Sequence, residues 1–110
     1  MKAVEVKPQK WFWDENYPIR ILFDDNVYSV IWGKYENSKV MGVRWNGEDE
    51  IGFPSQGRNP IFHIEPDFIA LSILQNLQLM YYNKNQFVDI DAVMYAITEL
   101  TEKIKKERKP

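Results

Sequence analysis

The amino-acid sequence predicts an α+β domain: an antiparallel β-meander of three to five strands followed by two C-terminal α-helices packed on one face of it. Three observations point there. Residues 19–45 hold runs of β-branched and aromatic side chains punctuated by short polar clusters. Residues 67–106 carry apolar side chains at spacings of three and four instead. No Gly/Ser linker, repeat or low-complexity segment separates the two halves, so the 110 residues are read as one domain.

In the first half, Asp14-Glu15-Asn16-Tyr17-Pro18 supplies a turn before a strand at 19–23, and Asp24-Asp25-Asn26 separates it from a second strand at 27–35. Asp and Asn favour turns because their side chains bond to nearby backbone N–H groups. A third strand at 39–45 follows the polar break Glu36-Asn37-Ser38 and stops at the turn dipeptide Asn46-Gly47. Val4-Glu5-Val6 and Trp11-Phe12-Trp13 alternate weakly, so residues 1–16 are read as an edge strand or a covering segment. Residues 46–60 form the longest irregular stretch, with three of the five Gly and two of the six Pro, and such loops often carry function. Residues 61–64 suggest a short fourth strand.

Pro66 and Asp67 open the first helix, because Pro tolerates the first helical position and an early carboxylate suits the positive end of the helix dipole. Ile69, Ala70, Ile73, Leu74, Leu77, Met80 and Tyr81 share its expected core face. Phe68, Leu71 and Leu79 fall on the opposite side among Ser72, Gln75, Asn76 and Gln78, where the second helix or the N-terminal segment is expected to cover them, with another molecule as the alternative. Asn83-Lys84-Asn85 ends this helix near residue 82. Asp89 or Asp91 caps a second helix reaching about residue 106, with an apolar stripe of Val93, Ile97, Leu100 and Ile104. Residues 105–110 are read as a basic, frayed tail.

Composition excludes more than it assigns. With no cysteine and His63 as the single histidine, disulfide scaffolds, thiol nucleophiles, cysteine-based metal sites and His pairs are ruled out, and neither a metal nor a cofactor is expected. Charges interrupt the first eight residues, unlike a signal peptide, and the most apolar run, 68–74, is far shorter than the roughly 20 residues of a membrane span. A cytoplasmic protein without a membrane partner is expected. The net charge of -2 is too balanced to collect nucleic acid electrostatically. Five basic groups against one acidic in 103–110 are read as a solvated helix end that complements the dipole.

Four Trp, six Tyr and six Phe make up 15% of the chain, more rings than a core of this size needs. Alternation along the strands places Ile19, Ile21, Phe23, Val27, Ile31, Tyr35, Met41, Val43 and Trp45 on the helix-packed face. The other face then carries Arg20, Leu22, Tyr28, Val30, Trp32, Lys34, Val40, Gly42 and Arg44. Such a mixture of rings and cations suits a protein partner, for which Trp, Tyr and Arg are the preferred anchors. Single-stranded nucleic acid stacked on the same rings is the alternative, disfavoured by the acidic body of the chain. Cover by Trp11-Phe12-Trp13 is the third reading.

The expected function is a small non-catalytic intracellular binding module, of accessory or inhibitor type and able to pair with itself as a homodimer. Its binding residues are Arg20, Tyr28, Trp32, Lys34 and Arg44 on the sheet, with Phe53 and Arg58 from the 52–60 loop. That loop lacks the spacing of a phosphate loop, so its Gly and Pro are read as turn formers. An enzyme built on His63 and Arg58 ranks last. His63 lies in an apolar run beside Glu65 and is read as a partly buried structural histidine, and no serine stands in a nucleophile context. Asp24-Asp25 and Glu48-Asp49-Glu50 are read as turns rather than cation sites.

Overall fold

A computed structural model describes residues 16–47, 51–56 and 59–107. Strands β1 (Arg20–Asp24), β2 (Tyr28–Tyr35) and β3 (Ser38–Trp45) run in sequence. A two-stranded ribbon of β4 (Ser55–Gln56) and β5 (Asn59–Pro60) follows, and then β6 (His63–Glu65). The main sheet has the order β1-β2-β3-β6 with every neighbouring pair antiparallel. Helices α1 (Asp67–Tyr82) and α2 (Ile90–Glu107) pack on one face of it, giving an α+β fold. None of the described helices is long and apolar enough to cross a membrane. The N-terminal segment with Trp11-Phe12-Trp13, the acidic run at 48–50 and the end of the basic tail lie outside the described residues.

Local chemistry sets the boundaries. Asp24 Oδ1 accepts from Asn26 N at 2.9 Å, while Asp25 Oδ1 accepts from Val27 N and Tyr28 N at 2.9 and 2.8 Å, which turns β1 into β2. Glu36 and Asn37 both have positive φ, 47° and 68°, and form the two-residue hairpin turn whose twist matches its strands. Pro66 is the N-cap of α1, with Asp67 in its first turn. Beyond Tyr82, Lys84 adopts φ 67°, and Lys84 N and Asn85 N donate to Tyr81 O and Met80 O at 2.8 and 2.9 Å, closing the helix end. Asp89 caps α2 by accepting from Ala92 N at 3.1 Å.

The two faces of the sheet are assigned differently from the sequence expectation. Leu22, Phe23, Val30, Trp32, Met41 and Val43 pack with the helices, whereas Ile31, Val40 and Phe62 form a second cluster on the other side, flanked by Ile19, Ile21, Tyr35 and Ile64. The reason is one residue of register. A three-residue break at Glu36-Asn37-Ser38 pairs Trp32 with Gly42; the two-residue turn pairs Tyr35 with Ser38 and Trp32 with Met41. A slip of one sends every side chain of the partner strand to the opposite face. A bulge between Ile21 and Phe23 then brings both Leu22 and Phe23 to the helix side.

Three further expectations are corrected. Trp45, placed in the core from its alternation, is the last residue of β3 and is 54% exposed. Tyr81 and Ile69 lie at the exposed margins of α1, whose buried residues are Ala70, Leu74 and Leu77. Phe68 and Leu79 remain 74% and 60% exposed, because α2 packs along the opposite side of α1 through the common core.

The fully buried Trp32 gives a test of this register. Trp32→Ala is expected to lower stability by about 3–5 kcal/mol in urea denaturation, the cost of emptying a large ring from a core. A loss under about 1 kcal/mol, as for a surface ring, contradicts the pairing of Trp32 with Met41.

Candidate functional site

The aromatic-basic residues of β1 and β2 do share a face, but that face is turned toward α2. Trp32 Nε1 donates to the Tyr17 hydroxyl at 3.0 Å, which donates in turn to Glu99 Oε1 at 3.0 Å. Lys39 Nζ donates to Glu99 Oε2 at 2.7 Å. The Arg20 guanidinium lies 3.6 Å from the Tyr95 ring centroid, a stacked arrangement that offsets the missing hydrogen bond of its buried Nη1. Lys103 Nζ bridges the Lys39 carbonyl and Asp67 Oδ1, both at 3.0 Å, and so ties α2 to β3 and to the start of α1.

Electrostatics follow from this packing. Burial pushes the Glu99 carboxyl up, but the hydrogen bond and charge of Lys39, with the hydroxyls of Tyr95 and Tyr17, outweigh it and leave Glu99 below its ordinary value. Tyr17 is driven well above the usual tyrosine range, first by burial and then by its hydroxyl and carboxylate neighbours. A fixed carboxylate and a tyrosine held neutral are the signs of a satisfied structural network rather than of an acid-base pair poised near neutral pH. Beside it, a cleft of about 360 Å³ is lined by Arg20, Ile21, Asp89, Asp91, Ala92 and Tyr95. Its mixed charges select neither an anion nor a cation.

Arg44 lies on the other side of the sheet and is buried. Its Nη2 donates to the Ile51 carbonyl, its guanidinium faces the Phe62 ring at 5.9 Å, and burial lowers its pKa. Arg44 therefore anchors the loop that returns the chain to β6. Lys34 stands opposite Lys39 beside the hairpin turn. His63 is exposed rather than buried; two residues from Glu65 on the same strand, it shares that residue's face, with Nε2 3.5 Å from Glu65 Oε1. Arg58 lies outside the described residues. Among the described residues, no three His, Asp or Glu side chains converge to hold a metal ion.

Two of the expected binding residues, Tyr28 and Phe53, meet at the open end of the sheet. Tyr28 pairs with Trp45, and Trp45 forms a bridge to Phe53, so three rings stand abreast on adjoining segments. The Tyr28 and Trp45 rings meet edge to face, centroids 4.6 Å apart. Tyr28 packs on the helix-side core, and the row emerges from there to Trp45 and to Phe53, which is 68% exposed. Backbone bonds fix it: Trp45 N to Phe53 O at 2.6 Å, Phe53 N to Trp45 O at 2.8 Å, and Asn46 N to Val27 O at 2.8 Å.

Below the row, the buried Asn46 accepts from the Ser29 hydroxyl and donates to Asp24 Oδ1 at 2.9 Å, locking the β1–β2 turn to the end of β3. Gly52 has φ 79°, and a Cβ there would fall 2.1 Å from the Trp45 carbonyl oxygen, so only glycine lets Phe53 come alongside Trp45. Burial, then the negative charge of Glu65, raises the Tyr28 pKa, keeping that ring neutral. Sequence reasoning missed Trp45 because it took the ring for a core residue. The available signal was its position immediately before Asn46-Gly47, where a strand leaves the sheet. Compared with protein-family models, with curated proteins and with solved structures, the chain matches none.

The Glu99 network predicts an acid-sensitive fold. A carboxyl depressed in the folded state adds stability above its unfolded pKa of about 4.3, and that stability is lost as pH falls through the lower folded value. Urea midpoints measured from about pH 6 down to about pH 3 are expected to fall more steeply for the wild type than for Glu99→Gln, since only the wild type carries this linkage. Parallel curves contradict the depressed value.

Proposed function

We propose that the protein is a non-catalytic protein-binding module whose contact surface is the aromatic row of half-buried Tyr28 and exposed Trp45 and Phe53, with Val27 at its margin. The observation that carries this reading is the exposure of Val27, Trp45 and Phe53 on three segments joined by backbone hydrogen bonds. Aromatic anchors held in place before binding lose little conformational freedom on complex formation, which makes them efficient contact residues. The nearest turn contributes Asp24 and Asp25, so the surroundings favour a partner with cationic or apolar character over a phosphate backbone. An accessory or inhibitor role needs such a surface and no reacting group.

The test compares proteins captured by the wild type with those captured by Trp45→Ser and Phe53→Ser, variants that alter exposed side chains and leave the backbone bonds in place. A partner retained by the wild type and released by both variants, with at least about a tenfold loss of affinity in calorimetry, supports the surface. Equal capture by all three removes it. Tryptophan quenching by a single-stranded oligonucleotide that weakens as salt rises and is lost in Trp45→Ser replaces the protein partner with nucleic acid.

A further inference from the structure

A second surface lies on α1, apart from the aromatic row. From Phe68 to Tyr82 this helix contains no Asp, Glu, Lys or Arg, although one whole side of it is exposed. An outward helix face ordinarily carries charge. Here Phe68, Leu79 and Tyr82 are 74%, 60% and 70% exposed, with Leu71 half-buried beside them. Its small polar side chains are turned back on the helix itself: Ser72 Oγ donates to Phe68 O at 3.4 Å and Asn76 Nδ2 to Ser72 O at 3.0 Å. Gln78 donates to Met94 Sδ at 3.2 Å. Gln75 is left at the middle of the exposed stripe, with no side-chain hydrogen bond among the described residues.

We propose that the protein forms a symmetric dimer by laying the outer faces of two α1 helices antiparallel, with the two-fold axis passing at Gln75. The side chains on either side of Gln75 are chemically matched about it. An isologous contact centred there sets Phe68 against Tyr82 of the second copy, Leu71 against Leu79, and Gln75 against Gln75, where two amides can exchange N–H···O=C bonds. Asp67 at the start of the helix is already paired with Lys103 of α2 at 3.0 Å, and residues 68–82 carry no charge, so two such faces meet with no like charges to repel.

A second copy fits this face better than a lipid surface does, since an interfacial helix relies on Lys and Arg along its polar side and this one has none. The helix is about 24 Å long. Such a face falls short of the roughly 800 Å² per partner of a standard interface, so the dimer forms at micromolar or higher concentration.

Sedimentation across about 10 µM to 1 mM tests the proposal, a range suited to a small interface. The wild-type mean mass is expected to rise toward twice the chain mass. Gln75→Lys and Gln75→Glu, each placing like charges on the axis, are expected to weaken association at least about tenfold, and an equimolar mixture of the two is expected to restore it. Phe68→Ser weakens it without charge, and Trp45→Ser leaves it unchanged. A wild type that stays monomeric throughout overturns the proposal. So does a Gln75→Lys variant that pairs as tightly as the wild type, a mixture that fails to recover, or loss of the dimer in Trp45→Ser. Flotation of the monomer with phosphatidylcholine vesicles assigns the face to lipid instead and overturns the dimer.

Discussion

The pairing of β2 with β3 through the Glu36–Asn37 turn decides what each layer of the molecule receives. With both residues at positive φ the loop has two members, and Trp32 falls opposite Met41 while Val30 falls opposite Val43. Those four side chains form the floor on which α1 and α2 pack. The same register puts Ile31 and Val40 on the reverse side, where Phe62 closes over them. It also ends β3 with Trp45 directly across from Tyr28, so the exposed rings are a product of the same turn.

A sheet covered on both faces has no open side for binding, and this accounts for the fate of its polar groups. Arg20, Lys39, Tyr17 and Glu99 sit where β1 and β3 meet α2, and each finds a partner inside the network. Removing one partner from such a group leaves a buried polar atom unmet, which costs more than the hydrogen bond itself contributes. The network fixes the position of α2 across the sheet. Apolar packing alone, being non-directional, specifies that position less sharply. Arg44 does comparable work on the reverse face, holding the return loop through the Ile51 carbonyl.

What was legible in the sequence depended on range. The order of the main-sheet strands and helices, the turn at Asp24-Asp25-Asn26, the end of β3 before Asn46-Gly47, the Pro66 start and the Asp89 cap are set by residues within a few positions of where they act and can be read from the chain, whereas the β4–β5 ribbon lies in a stretch that reads as irregular. The assignment of faces was not legible. Loops of two or three residues fit Glu36-Asn37-Ser38 equally well, and with both faces apolar the hydrophobic pattern cannot choose between the registers they imply. The Tyr17–Glu99 bond joins residues 82 positions apart, beyond any local signal. Tyr28 and Phe53 could be singled out as rings without an evident core position, but Trp45 between them could not, because its role follows from the register.

Among the described residues, two groups of large rings have different physical duties. Trp32, Tyr17 and Tyr95 have polar atoms or ring faces that the interior engages, and they contribute area together with direction. Trp45, Phe53, Phe68 and Tyr82 meet water across most of their surface. Exposed rings scattered singly need no explanation, but these fall into two groups, each on a rigid support: a backbone-bonded sheet end and a regular helix. Rigid support matters because a flexible segment would fold its rings back onto the protein and lose more entropy on meeting another molecule. The two supports also differ in character. The sheet end is short and flanked by Asp24 and Asp25, which suits a partner of different charge. The α1 face is uncharged and matched about its own midpoint, which suits its own copy. Because the two surfaces rest on different elements, the proposed α1 dimer would display two aromatic rows instead of one.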